Sequence, residues 1–92
     1  MNSKDFYKKL KNSLEDTTTF PADYMYKFIV PTASTGVAEI EAIFDNLGAV
    51  ITKKESAKGK YTSLTIALKV KSAQFVIEKY QEVSKVAGVI SL

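Results

Sequence analysis

The chain has no cysteine, no histidine, no arginine and no tryptophan. Without cysteine there is no disulfide, no thiolate nucleophile and no thiolate-bound metal. Without histidine, the commonest general base and the commonest metal ligand are gone, and one chain cannot assemble a Ser–His triad. Lysine supplies all 13 positive charges, so the net charge of +3 rests on compact ammonium groups. The planar forks that grip phosphate or guanine in a bidentate fashion are therefore lacking. The carboxylates are scattered, and Glu39 and Glu41, two apart, do not face one another on a helix. A non-enzymatic protein needing no cofactor and no metal is the expectation. No apolar run reaches the roughly 18–20 residues of a membrane span. The amino-terminal MNSKDFYKKLKNSLEDTTT lacks the apolar centre of a signal peptide. A cytoplasmic location without membrane contact is expected.

What the chain does have is enough for one core. Its 92 residues are 46% hydrophobic and 25% charged, which places it among folded soluble domains rather than disordered segments. In SKDFYKKLKNSLE, residues 3–15, Phe6, Leu10 and Leu14 recur every four positions and Tyr7 widens the stripe, which predicts an amphipathic helix capped by Ser3. The polar DTTTFP ends it, with Pro21 setting an extended lead into the next element. Residues 1–19 are read as this helix and a linker, and 20–92 as the domain proper.

DYMYKFIVP, residues 23–31, is rich in aromatic and β-branched residues and predicts a strand. A lysine aimed into a core is prohibitive unless paired. Alternation then sends Tyr26, Phe28 and Val30 inward and Lys27 to an open face. PTASTG follows as a loop whose Ser34 or Thr35 caps a helix running to about Leu47. Its apolar face is Val37, Ile40, Ile43, Phe44 and Leu47, and Gly48 is its stop.

AVITKKES and YTSLTIALKV predict a hairpin about AKGK, with Gly59 supplying the positive φ of the turn. With Lys58 and Gly59 at the tip, Ser56 lies opposite Tyr61, Lys54 opposite Ser63 and Ile51 opposite Ile66. That register puts Ile51, Leu64, Ile66 and Leu68, and Val70 should the strand run that far, on the core side. Tyr61, Ser63, Thr65 and Ala67 fall on the open side. Lys53 sits at the inner margin of an edge strand, where charge discourages strand addition. Ser72 caps a further helix, AQFVIEKYQEVSKVA, with Val76, Ile77, Tyr80 and Val83 on its apolar face. Gly88 ends that helix and VISL forms a short last strand. After the first helix the order is β-α-β-β-α-β, the ferredoxin-like arrangement: an α+β sandwich of a four-stranded antiparallel sheet with two helices on one face.

FPADYMYK, ESAKGKYTS and KYQEV together resemble the YbeD-like family, small bacterial proteins of unassigned function. The resemblance covers roughly residues 18–92. Its most specific part is Ser-x-Lys-Gly-x-Tyr-x-Ser, here Ser56, Lys58, Gly59, Tyr61 and Ser63; Phe20 with Pro21 and Tyr26 with Lys27 add shorter matches. The resemblance implies a ferredoxin-like domain similar in shape to the ACT-type regulatory domains, and no reaction or catalytic residue. ACT-type domains commonly bind amino acids near the loop entering their first helix, here PTASTG, where Ser34, Thr35 and Gly36 also have a plain reading as loop and cap.

Three uses of the surface follow. The first is a regulatory or binding module whose open-face and hairpin patch, Lys27, Lys54, Ser56, Lys58, Gly59, Tyr61, Ser63 and Thr65, engages a protein partner, a second copy or a small anionic ligand. The plain alternative is a solvated sheet face with Ser56 and Gly59 serving only the turn. The second is nucleic-acid binding, since βαββαβ is also the order of RNA-recognition domains and residues 53–71 hold six lysines against one glutamate. Ser63, Thr65 and Lys27 stand where base-stacking rings would be wanted, so only weak, non-specific attraction to RNA or single strands is expected. The third concerns the stripe of Phe6, Tyr7, Leu10 and Leu14, which is expected to dock on its own domain rather than on another chain.

Overall fold

The alternation of DYMYKFIVP decides where the core lies. In the computed structural model, which describes residues 3–91, β1 spans Ala22–Pro31. Tyr26, Phe28 and Val30 are fully buried on one face, while Met25 and Lys27 are exposed on the other. Around it the order is α1 (Ser3–Thr17), β1, α2 (Gly36–Ile43), β2 (Val50–Glu55), β3 (Tyr61–Val70), α3 (Ala73–Val83) and β4 (Ile90–Ser91). The four strands form one antiparallel sheet in the order β2-β3-β1-β4. This is the α+β, ferredoxin-like arrangement.

The hairpin has the expected register, with Lys54 opposite Ser63 and Ile51 opposite Ile66. Leu64, Ile66, Leu68 and Val70 are buried, and Ile51 is half-buried against them. Ser56 N–H donates to the Tyr61 carbonyl at 2.8 Å and Gly59 N–H to the Ser56 carbonyl at 2.8 Å, closing the turn with Gly59 at φ 69°.

Both core helices are shorter than their apolar stripes suggest. Helix α2 ends at Ile43, not near Leu47. Asp45 Oδ1 accepts from the Asn46 N–H at 3.0 Å, and Asn46 turns to φ 61°. An Asx side chain thus offers the backbone a local alternative to another helical turn. The Ile43 carbonyl left at that end accepts from Lys79 Nζ on α3 at 3.2 Å. Phe44 is still buried, so the hydrophobic stripe outlasts the helix. Helix α3 likewise stops at Val83 rather than Ala87, Val86 being held in the core by a turn in which its N–H reaches the Val83 carbonyl at 2.9 Å.

The caps divide. Ser72 accepts from the Phe75 N–H at 3.1 Å as expected. At α2, Thr35 holds the cap position but makes no side-chain cap bond; its hydroxyl donates to Glu39 Oε2 at 2.9 Å, and Ser34 Oγ accepts from the Gly36 N–H at 3.1 Å. Gly36 sits where a Cβ would come within 3.0 Å of Val30, so the helix can start this close to the strand only without a side chain. The cap expected of Ser3 involves a side chain outside the described residues, as does Leu92 of VISL.

Helix α1 runs two residues beyond Glu15, to Thr17, whose hydroxyl donates back to the Ser13 carbonyl at 2.7 Å. It packs on α3. Leu14 reaches the core and Tyr7 and Leu10 are half-buried, but Phe6 stays 53% exposed. The stripe is therefore docked on its own domain along most of its length and not at its amino-terminal end.

Tyr26 is the centre of the core. Its ring lies 4.8 Å from Tyr24, 5.8 Å from Phe28, 5.1 Å from Phe44 and 4.8 Å from Tyr80, and its hydroxyl donates to the Val76 carbonyl at 3.2 Å. The Tyr24 and Tyr80 hydroxyls meet at 2.9 Å. Burial, with a smaller effect of Tyr24, pushes the Tyr26 phenol up; burial and then the Tyr24 hydrogen bond do the same for Tyr80.

Phe28→Ala is expected to cost about 3–5 kcal/mol, the range for truncating a buried aromatic, and Lys27→Ala next to nothing, as urea melts of the two variants will show. The tyrosines give a second test. Their folded-state pKa values are raised, so their contribution to stability is complete below the ordinary phenol value of about 10 and declines as pH rises above it. Alkaline titration followed by phenolate absorbance and circular dichroism together should show Tyr26 and Tyr80 ionising only as structure is lost.

Candidate functional site

The helices cover one face of the sheet and leave the other open, where strand pairing arranges the candidate residues in rows. Lys27 of β1 stands opposite Thr65 of β3, which stands opposite Thr52 of β2. In the next row Ile29 is opposite Ser63, and Ser63 is opposite Lys54. Towards the hairpin tip, Tyr61 is 48% exposed.

A shallow depression of about 430 Å³ gathers Lys54, Ser56, Tyr61 and Ser63 from the predicted set, together with Ile29, Glu55 and Ala57. Lys27 and Thr65 lie in the neighbouring row, outside its rim. Lys58 and Gly59 belong to the turn and do not line it either. The patch is thus two adjoining features of one surface and not a single pocket.

Two of its hydroxyls already have structural work. Ser56 Oγ accepts from the Tyr61 N–H at 3.2 Å, and Ser63 Oγ donates to the Lys54 carbonyl at 3.2 Å. The geometry of the turn and the strand pairing explain these serines without a ligand. Lys53, on the helix side of β2, lies 3.5 Å from Glu41 Oε1, an exposed ion pair of modest worth. Among the described residues no three acidic side chains come together in a way that could hold a metal ion.

The open face is more apolar than the chosen residues suggest. Met25 is 57% exposed, Val50 67% and Ile90 51%, with half-buried Ile29 and Ala67 between them. Met25, Ala67 and Val50 form one row across three strands, and Ile29 pairs with Ile90 of β4. The signal was present in β1, whose open-face positions on either side of Lys27 are Met25 and Ile29. A second depression of about 320 Å³, lined in part by Glu41, Asp45, Asn46 and Ile51, lies where α2 ends against β2. Its existence follows from the early stop of α2, which the apolar stripe concealed. At PTASTG, the Ser34 hydroxyl donates to the Pro31 carbonyl at 2.7 Å and Thr35 is bound to Glu39, so loop and cap account for both.

The molecule is therefore a ferredoxin-like α+β domain with a wet but substantially apolar sheet face. The chain belongs to a family of proteins of unknown function, DUF493, which matches residues 15–92. No curated protein and no solved structure matches it.

Gly59 has open space around the position of a Cβ but holds φ at 69°. Gly59→Val should therefore lose about 1–2 kcal/mol from backbone strain alone, read as a lower melting temperature, whereas Lys58→Val at the same tip should melt close to wild type.

Proposed function

We propose that this domain is a non-enzymatic binding module that docks a protein partner on its open sheet face. The observation that carries the reading is the set of apolar side chains on that face, Met25, Ala67 and Val50 in one row and Ile29 with Ile90 two rows on, across the row of Lys27, Thr65 and Thr52. An apolar band interrupted by charged and hydroxyl groups suits a protein surface. The depression beside it is broad and shallow, whereas small-molecule sites are concave and bury most of their ligand. Lys27 and Lys54 give the face a positive character, which favours a partner whose contact surface is apolar with an acidic rim. The likeness to YbeD-like proteins, and through them to ACT-type domains, supports a regulatory use of such docking.

Weak attraction of RNA or single strands to the hairpin lysines is the second reading, supported by the exposure of Lys53, Lys54, Lys58 and Lys60. Tyr61 is the one ring on this face among the described residues, which leaves little for bases to stack on. A few lysine–phosphate contacts also fade toward physiological salt.

A photo-crosslinking residue placed at Thr65 distinguishes the two. In native extract at physiological salt, the expected result is a discrete protein adduct that survives nuclease and disappears in Val50→Asp, Ile90→Asp variants with unchanged melting. An adduct removed by nuclease would transfer the face to nucleic acid. No adduct at all would overturn docking.

A further inference from the structure

The open face has relief as well as chemistry. Strand β3 presents Ala67, Thr65 and Ser63 there, short side chains that are half-buried. Longer ones stand on either side: Met25, Lys27 and Ile29 on β1, Val50 and Lys54 on β2. Strand β3 is thus the floor of a furrow whose walls are two strand spacings apart, about 10 Å. The depression of about 430 Å³ lies over Ser63 at one end of it. Another of about 450 Å³ lies over Ala67 at the other end, beside Met25, Gly48 and Lys69. The row of Lys27, Thr65 and Thr52 separates the two. Because β3 is paired on both sides, the floor offers side chains and no free backbone edge for an added strand.

We propose that the partner enters this furrow as an amphipathic α-helix with an acidic residue midway along its apolar stripe. The inference rests on the docking of a protein at this face and adds the form and charge of the segment that docks. A helix with its side chains is about 10–12 Å across, close to the width of the furrow. Successive open-face residues of β1 are about 6.6 Å apart, and helix residues four apart rise about 6 Å. The sequence Met25, Lys27, Ile29 along the wall is therefore matched by positions i, i+4 and i+8 of a helix, apolar, acidic and apolar in turn. Neither lysine of the walls is satisfied within the chain: the ion pairs among the described residues are Lys53–Glu41 and Lys79–Glu82, which leaves Lys27 and Lys54 for an acid from outside.

A second copy does not supply that helix. Helix α1 carries Lys4, Lys8, Lys9 and Lys11 and has its apolar stripe docked on its own domain, and the exposed side of α3 is polar. Two copies laid face to face would oppose Lys27, Lys54 and Lys69 of each, with Asp23 alone on this face to offset them.

The test puts a compact diazirine side chain in place of Met25 or of Ile29 in the full chain. Each is irradiated in native extract at physiological salt, and the adduct is mapped in the partner's sequence by mass spectrometry. The two positions are about 13 Å apart along β1, a distance covered by about eight or nine helical residues or about four extended ones. The expected adducts lie about seven to nine residues apart in one segment, with an Asp or Glu between them. Lys27→Glu should leave the melting temperature unchanged and lower both yields about tenfold; replacing the partner's acid with Lys should restore them. Ala67→Trp fills the floor and should abolish both adducts, and if that variant fails to fold, the charge exchange decides. Adducts about four residues apart, or in separate segments, would overturn the helix and leave docking on this face standing. Yields indifferent to Lys27→Glu, or adducts to a second copy of this chain, would overturn it too. No protein adduct from either position would remove the docking reading itself, and the helix with it.

Discussion

Tyr26 is the residue through which the layers of this domain hold one another. Its ring bridges the central strand to Phe44 after α2 and to Tyr80 on α3. Its hydroxyl is spent on a helical carbonyl rather than left unpaired in the core. An aromatic packed this way contributes area, edge-to-face geometry and one satisfied polar contact at once. Because β1 must send Tyr26, Phe28 and Val30 to that side, the same strand must send Met25, Lys27 and Ile29 to the other. The open face is thus a by-product of the core, and its chemistry is set by whatever occupies those positions.

Most of the architecture was legible because period and punctuation agreed. Lys27 alone oriented β1, and Gly59 with the alternation of Leu64, Ile66 and Leu68 fixed the hairpin register. The helix ends were less legible. Phe44 and Val86 are apolar at helical spacing and are buried, yet each lies beyond its helix, since a turn can deliver a side chain to the core as well as a helix can. Asp45 and Asn46 held the signal for α2, an Asx pair able to bend the backbone ahead of Gly48.

The candidate patch was half legible. Lys54, Ser56, Tyr61 and Ser63 do converge, because a hairpin in known register brings them together. Lys58 and Gly59 were chosen for their motif and lie on the turn, where sequence neighbours need not share a surface. What sequence reasoning undervalued was apolar: Met25, Val50 and Ile90 come from three strands far apart in the chain. Only the strand order β2-β3-β1-β4 puts them on one face. A search tuned to polar chemistry passes over such residues.

Strand β3 sits between its two neighbours in the sheet but not midway between them in the sequence. It joins β2 through a five-residue loop, a closure that costs little entropy and occurs on the microsecond scale. Joining β1 requires closing the whole span that contains α2 and β2, and α2, at eight residues, is too short to persist alone. The hairpin can therefore form early, while the Tyr26 side of the core waits for β1 to arrive over the longer loop. In a fold arranged this way, the long-range docking of β1 sets the pace of folding.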